Sequence, residues 1–204
     1  MGLMRAMRIV IVLAASSTLS VLLGASAGAG PLDHPGYPKS LTCSACHGAA
    51  GNSRSDSMPI IAGMSAAYFK KQIDSYAAGK RPSPEMEPYA KMVLVLGVDD
   101  VAGYFAQQKM EPTPIVSSAD AIGRGRTAAV QCAICHGPEG KGDAAKLIPS
   151  LASQPPGYLK TQMILFKQDK RNPGDATLNA AKALMRLISD ETYADLAAYY
   201  SSVR

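Results

Sequence analysis

Tryptophan is absent from the 204-residue sequence, and patterns typical of β-strands are scarce. The nearest approach to a strand is the apolar run Met92 to Val95, which is too short to predict a sheet. Alanine, glycine and proline are frequent instead, and apolar residues recur at helical spacing in several segments. The sequence therefore favours an all-α fold built from small helical domains.

A second long apolar segment is also lacking, since the one present lies at the N terminus. There, Arg5 and Arg8 precede an uncharged run over residues 9–23, and small residues follow it. This run is shorter than the roughly 20 residues of a membrane-spanning helix, which argues against an uncleaved anchor. We predict that residues 1–29 form a signal peptide, cleaved near residues 27–29 on export to the periplasm. The mature chain is then expected to have no stable membrane span.

Charge of one sign is not strongly in excess. The formal net charge is +5, and removal of Arg5 and Arg8 with the signal peptide lowers it by two. A balance this small does not indicate binding to nucleic acid, and we expect no nucleic-acid partner.

Cysteine is rare, and all of it falls in two copies of one five-residue pattern. Residues 43–47 and 132–136 both read Cys-x-x-Cys-His, which uses all four cysteines and two of the three histidines. This pattern is the attachment signature of c-type haem, in which both thiols bond to the porphyrin and the imidazole ligates the iron. We therefore predict two covalently bound haem c groups, attached through Cys43, Cys46, Cys132 and Cys135, with His47 and His136 as iron ligands.

Three other chemistries use paired cysteines in an exported protein: disulfides, redox-active dithiols and the halves of a zinc site. A dithiol does not explain why a histidine directly follows the second cysteine in both copies. A zinc site would require two halves 89 residues apart in the sequence to converge. Haem attachment accounts for the histidines, and the haem carboxylates would offset most of the positive charge.

The two motifs belong to a larger internal duplication. The cysteines and histidines recur at an offset of 89 residues, whereas Pro59, Tyr68 and Gln72 recur 90 residues later. Residues 101–105 are matched by residues 196–200 at an offset of 95. The second copy has therefore gained one residue before its proline and five residues further on.

This repeat predicts two domains, residues 30–110 and 119–204. The linker, residues 111–118, contains two prolines that exclude continuous helix. Residues 30–40, rich in proline and glycine, are expected to form an extended lead-in. After each haem motif we expect an amphipathic helix, then a loop and a closing helix. The predicted helices are Ala66–Ala78 and Val98–Gln108 in domain 1, and Ala119–Val130, Tyr158–Lys167 and Asp190–Ser202 in domain 2.

The sixth ligand of the first iron is expected to be a methionine, whose sulfur favours Fe(II). Met86 is the best candidate, because it stands among charged residues and prolines on the predicted loop and is therefore a poor core residue. Met64 and Met92 are rivals, but Met64 lies at the start of a helix and Met92 within an apolar run. A shell closed by His47 and Met86 suits an electron carrier, because it changes little between Fe(II) and Fe(III).

The second domain departs from this pattern. Aligning its closing helix with that of the first domain places Ala181 at the position of Met86. Met185 lies about one helical turn later, whereas Met163 matches Ile73 of the amphipathic helix and is expected in the core. Three interpretations stay open: ligation by Met185 after a shift in register, ligation by another side chain, or an open or water-bound iron that binds small ligands.

Together these motifs resemble the small periplasmic dihaem cytochromes c of the c4 kind, and are also similar to the dihaem subunit of flavocytochrome c sulfide dehydrogenases. The resemblance covers nearly all of the mature chain and implies two tandem class I cytochrome c domains, each wrapped around one covalently bound haem. It also implies that the carbonyl groups of Pro59 and Pro149 accept hydrogen bonds from the ligand histidines. The residues that match are Cys43, Cys46, His47, Gly48, Pro59, Tyr68, Gln72, Met86, Pro88, Tyr104 and Phe105, and then Cys132, Cys135, His136, Gly137, Pro149, Tyr158, Gln162, Tyr199 and Tyr200.

The resemblance implies an electron-transfer protein, not an enzyme, that shuttles single electrons from a respiratory or dehydrogenase donor to a terminal oxidase or reductase. Its partners would be redox proteins, either membrane-bound oxidases and reductases or a flavoprotein dehydrogenase. One alternative is a permanent cytochrome subunit of a flavoprotein dehydrogenase. A further alternative is a haem enzyme that uses an open second iron, although no acid or base residue stands out near Ala181.

Overall fold

The computed structural model of the chain describes residues 30–172 and 176–204. These described residues form α-helices and no β-strand, apart from an isolated bridge between Asp143 and Ile148. The predicted all-α fold is confirmed, whereas the predicted signal peptide lies outside the described residues. None of the helices in these two ranges is long and apolar enough to cross a membrane. The helices are α1 (Gly36–His47), α2 (Ala66–Ala77), α3 (Met86–Leu96), α4 (Val98–Gln107), α5 (Ala119–Ala128), α6 (Ala133–His136), α7 (Pro156–Lys167), α8 (Ala176–Met185) and α9 (Asp190–Ser202).

The helices pack into two units that follow the two copies of the sequence. Helices α1 to α4 surround a core that contains Phe69 and Phe105, and the later helices surround a second core that contains Tyr193 and Tyr200. Residues 109–118 between the units are non-helical, as their prolines require. The domain limits themselves stay a prediction.

In each unit the first and last long helices cross at a glycine. Gly36 of α1 lies against the backbone of Asp100 in α4, and a Cβ at that position would overlap the Asp100 carbonyl group. Gly125 of α5 lies in the same way against Asp195 of α9. A side chain at either position would push the two helices apart, so each crossing depends on glycine.

Most of the predicted helices are confirmed. Helices α2, α4, α7 and α9 match their predicted bounds to within two residues, and the segment Ala119–Val130 is α5 followed by a 3₁₀ turn. The predicted extended lead-in is wrong at Pro31–Asp33, which forms a 3₁₀ turn, and from Gly36 onward, where α1 begins. Pro38 is tolerated in the first turn of α1, since N–H groups in a first turn have no partner within the helix.

Two further helices, α3 and α8, lie where the sequence predicts loops. Helix α3 begins at Met86 and absorbs the apolar run Met92 to Val95. Val95 is 88% exposed and Leu94 is 41% exposed, so apolar residues lie on several faces of α3 and hide its helical periodicity. Pro88 falls in the first turn, where proline does not break a helix.

Candidate haem centres

His47 is positioned by the end of α1 and by a hydrogen bond from its own ring. It is 6% exposed, and its Nδ1 lies 2.8 Å from the carbonyl oxygen of Pro59. A carbonyl oxygen only accepts hydrogen bonds, so Nδ1 carries the proton and Nε2 keeps its lone pair for a metal. Burial lowers the pKa of His47 below its ordinary value, which keeps the ring neutral and able to ligate.

His136 repeats this arrangement in the second unit. It ends the short helix α6, and its Nδ1 lies 3.0 Å from the carbonyl oxygen of Pro149. Burial lowers the pKa of His136 as well. Both hydrogen bonds that the family resemblance implies are therefore present, and both rings present Nε2 as a free ligand.

A cavity of about 460 Å³ lies beside His47, and both thiols of the first motif line it. Met86, the favoured sixth ligand, and its rival Met64 also line this cavity. Met58, which the sequence reasoning did not consider, contributes a third methionine. The cavity thus gathers the predicted attachment and ligand groups of the first site in one place.

Met86 is the first residue of α3 and does not lie on a loop, which corrects the sequence prediction. Ser83 explains why a helix starts there, shortly after two prolines. Its hydroxyl oxygen accepts the Met86 N–H at 3.2 Å, and its carbonyl oxygen accepts the N–H of Glu87 at 3.0 Å. Ligation of iron by Met86 stays a prediction.

The donors at the first cavity fit an iron porphyrin. Thiols form the thioether bonds, and imidazole and thioether groups are ligands that haem iron takes in cytochromes. Ile61, Phe69 and Ile73 line further parts of the wall, where an apolar ring would pack against them. Among the described residues no cysteine is in a disulfide, and no three His, Cys, Asp or Glu side chains gather as a metal site.

Two methionines pack beside the second motif. Met163 and Met185 are both partly buried against the same core as Cys132. Met185 is the last residue of α8, and its carbonyl oxygen accepts a 2.5 Å hydrogen bond from the hydroxyl group of Tyr193. This bond fixes the end of α8 on the core, while ligation by Met185 stays a prediction.

Neither way of aligning the two copies places a methionine at the equivalent of Met86. Alignment through the closing helices gives Ala181, which is half-buried within α8. The offset of 90 gives Ala176, the first residue of α8. The sequence between the two helices is longer in the second unit, where residues 186–189 separate α8 from α9.

Sequence reasoning missed two arginines at the contact between the units, Arg81 and Arg171. They recur at the offset of 90, each directly after a lysine, so the repeat itself contained the signal. Each guanidinium group stacks on a ring of its own unit, Arg81 over Tyr76 at 4.4 Å and Arg171 over Phe166 at 4.5 Å. Burial raises the pKa of Tyr76 to about 12, so its hydroxyl group stays neutral beside the cation.

Hydrogen bonds to backbone groups also join the two units. The side chain of Gln154 accepts the Ile60 N–H at 3.0 Å and donates to the Ile60 carbonyl oxygen at 2.8 Å. Asp56 receives the first N–H groups of α7, with Gly157 donating to its carboxylate at 2.8 Å and Tyr158 to its carbonyl oxygen at 2.8 Å. The first unit therefore caps a helix of the second.

The helical fold and the two sites define a c-type cytochrome with two covalently attached haem groups. The sequence model of the cytochrome c family matches residues 122–204. Cytochrome c4 of Pseudomonas aeruginosa is 32% identical over 173 residues, which cover 80% of this chain and 85% of that one. The chain therefore belongs to the cytochrome c4 family and is a dihaem electron-transfer protein.

Other relatives extend this comparison. A protein of Stutzerimonas stutzeri named thiosulfate dehydrogenase electron acceptor is 32% identical over 182 residues, which cover 81% of each chain. The structure of reduced cytochrome c4 from Pseudomonas stutzeri shares the fold, with a TM-score of 0.74 and 24% identity over 83% of this chain and 97% of that one. Thiosulfate dehydrogenase from Marichromatium purpuratum matches with a TM-score of 0.69 and 27% identity, over 78% of this chain and 36% of that one.

Proposed function

We propose that the chain is a periplasmic shuttle that takes single electrons from a dehydrogenase or another respiratory donor and passes them to a terminal oxidase or reductase. The observation that carries this proposal is the duplicated site. Each haem-attachment motif ends in a histidine whose ring is held by a prolyl carbonyl group, at 2.8 Å in one unit and 3.0 Å in the other. Two such sites give one molecule separate positions at which electrons enter and leave.

His47 and His136 would each supply one ligand to the iron of a bound haem, and a hydrogen bond orients each ring for that role. The carbonyl groups of Pro59 and Pro149 fix the tautomer and orientation of each ring and raise its basicity. Each haem, when bound, supplies one-electron Fe(III)/Fe(II) chemistry. A ring held in one orientation would favour the same coordination in both oxidation states, so the rearrangement on electron transfer would be small.

Met86 is the proposed sixth ligand of the first iron and Met185 that of the second. Leucine has a similar volume and no sulfur lone pair, so it tests each assignment with little change in packing. Met86→Leu and Met185→Leu should each remove about half of the long-wavelength absorption band of methionine-ligated ferric haem. The controls Met64→Leu and Met163→Leu should leave that band intact. An unchanged band in Met185→Leu would show that Met185 is not the ligand.

A dehydrogenase that oxidises thiosulfate is the proposed donor. The relative from Stutzerimonas stutzeri is named for accepting electrons from such an enzyme, which supports this class of partner. The oxidised protein can be mixed with thiosulfate and a catalytic amount of a thiosulfate dehydrogenase in a stopped-flow spectrometer. Reduction of both haems is expected, and reduction no faster than without the enzyme would exclude this donor.

The permanent-subunit alternative makes a different prediction. A shuttle should elute from a size-exclusion column as a separate small protein when a periplasmic extract is fractionated. Elution at a fixed ratio with a flavin-containing protein, resistant to added salt, would favour a cytochrome subunit of a flavoprotein dehydrogenase. Absorbance of haem and fluorescence of flavin report the two groups separately.

We propose further that the chain is a carrier and not an enzyme. If both sixth positions are closed by side chains, neither carbon monoxide nor hydrogen peroxide should alter the Soret band. A change confined to one haem would indicate an open second iron and favour the haem-enzyme alternative. Repeating the measurement on the Met185→Leu variant, in which that position is opened, supplies the positive control.

A further inference from the structure

Arg81 and Arg171 form a crossed hydrogen-bond network between the two units. Arg81 is 4% exposed and donates to the side-chain oxygen of Gln72 in its own unit at 2.8 Å. It also reaches into the other unit, where it donates to the Tyr158 hydroxyl oxygen and to the side-chain oxygen of Gln162, both at 2.9 Å. One guanidinium group thus bonds both units.

Arg171 makes the mirror-image set of bonds. It is 7% exposed and donates to Gln162 in its own unit at 2.8 Å. Across the contact it donates to the Tyr68 hydroxyl oxygen at 3.1 Å and to Gln72 at 3.0 Å. Each glutamine oxygen therefore accepts hydrogen bonds from both arginines, so a single acceptor atom bridges the two guanidinium groups.

This pair of buried cations has no carboxylate to balance it. Among the described residues no aspartate or glutamate forms an ion pair with either guanidinium group. The Nε of Arg81 is also buried, with no hydrogen-bond partner in the described part of the chain. Two like charges held close together away from water repel strongly, so the arrangement calls for an anion.

The position of the network indicates which anion it takes. The cavity that holds the thiols of the first motif and His47 is also lined by Gln72, Arg81, Tyr158 and Gln162. The two glutamine oxygens in that wall are the atoms that both arginines share. A haem attached at this cavity would bring two carboxylates into a site whose wall includes the buried cation of Arg81.

We propose that Arg81 and Arg171 form one shared cationic site for the haem carboxylates, through which each arginine raises the reduction potential of both haems. The proposal rests on both motifs carrying haem. A nearby positive charge disfavours Fe(III) relative to Fe(II), and the effect is strong where water is excluded. Because each guanidinium group bonds both units, its charge acts on both sites.

The test compares charge removal at the network with charge removal elsewhere in the mature dihaem protein. Arg81→Gln and Arg171→Gln should each lower the midpoint potentials of both haems. Spectroelectrochemistry measures these potentials, and paramagnetic NMR distinguishes the two haems. Arg54→Gln is the matched control, because Arg54 is exposed and its charge is screened. Arg81→Lys should lower the midpoint potentials much less than Arg81→Gln does, since lysine keeps the positive charge and loses only the planar guanidinium group.

Docking of the units is controlled separately. Gln154→Ala removes two hydrogen bonds between the units without changing charge. If it lowers the potentials as much as Arg81→Gln, loss of docking and not loss of charge is responsible, and the proposal is overturned. A change in the midpoint potential of only the haem in the mutated unit, or no change in either potential, also overturns the proposal. A haem count of two per chain, from the pyridine haemochrome spectrum, distinguishes these failures from failure of haem attachment.

Discussion

The two domains carry the same haem-attachment motif in different local secondary structure. In the first domain the motif lies inside one continuous helix, α1, and its histidine is 6% exposed. In the second domain a 3₁₀ turn, Ala129–Gln131, separates α5 from the short α6, and His136 is half-buried. The hydrogen bond from the histidine to a prolyl carbonyl group is present in both. The two copies have therefore kept the haem-attachment motif and the hydrogen bond of its histidine. They differ in the helices around the motif and in the position of the methionine.

The largest expected effect tests whether the two attachment sites are equivalent. We expect Cys43→Ala/Cys46→Ala and Cys132→Ala/Cys135→Ala each to lose one covalent haem, because each pair supplies all the thiols of its site. Mass spectrometry of the denatured protein should show one haem per chain in both variants. Loss of both haems from either variant would show that one domain cannot load without the other.

The next comparison concerns a ring at the centre of each core. Phe105 is fully buried in domain 1, and its counterpart in domain 2 is Tyr200, whose buried hydroxyl group has the weakly hydrogen-bonding thiol of Cys132 beside it and no well-aligned hydrogen-bond partner in the described residues. Phe105→Tyr should destabilise domain 1 by about 1–3 kcal/mol, the cost of burying an unpaired polar group. Tyr200→Phe should be neutral or slightly stabilising, since it removes such a group.

Urea unfolding monitored by circular dichroism measures both changes in free energy of unfolding. A loss of more than about 1 kcal/mol in Tyr200→Phe would show that the second core makes use of its hydroxyl group.

A smaller effect distinguishes how the amphipathic helices are capped. Helix α2 is capped from within its own unit, since Ser65 accepts the Tyr68 N–H at 3.2 Å, whereas α7 is capped by Asp56 of the other unit. Ser65→Ala and Asp56→Ala should each cost about 1 kcal/mol. Only Asp56→Ala should also loosen the contact between the units. Hydrogen exchange of the Gly157 amide, compared with that of Tyr68, reports the difference.

The smallest effect concerns ion pairs between the first and last helices of each unit. Lys39 pairs with Asp100 in domain 1, and Arg124 pairs with Asp195 in domain 2. The guanidinium group of Arg124 lowers the pKa of Asp195, so this pair stabilises the fold above the ordinary aspartate pKa and stops doing so as pH falls through the lower folded value. Arg124→Gln should therefore be slightly less stable than the parent at neutral pH.

That difference should disappear at an acidic pH low enough to protonate Asp195 in both the folded and unfolded states. Urea midpoints at the two pH values provide the measurement, with Lys39→Gln as the matched variant of domain 1. A difference that persists in acid would show that Arg124 stabilises through packing of its side chain and not through its charge.

The parts of the fold that sequence could predict are those set by local pattern. Helices α2, α4, α7 and α9 have apolar residues at helical spacing, so their bounds were accessible. The haem motifs and the prolines that accept from His47 and His136 were accessible through the repeat and the family resemblance. Helix α3 was not, because exposed apolar residues such as Val95 mask its periodicity.

The arginine network shows the other kind of limit. Arg81 and Arg171 recur in the sequence, but the partners that explain them lie in the opposite unit, such as Tyr158 for Arg81. Side chains more than seventy residues apart come together only through docking of the units, which no local pattern encodes. The second unit has no methionine at the position equivalent to Met86, because both alignments of the two copies place an alanine there.

The glycine crossings have a consequence for the order in which each unit is built. They join the first helix of a unit to its last, so a unit cannot close until its final helix has been synthesised. Each Cys-x-x-Cys-His segment precedes that closing helix by more than fifty residues. The thiols are therefore synthesised before the helix that closes their unit, so haem attachment can precede closure of the first helix on the last.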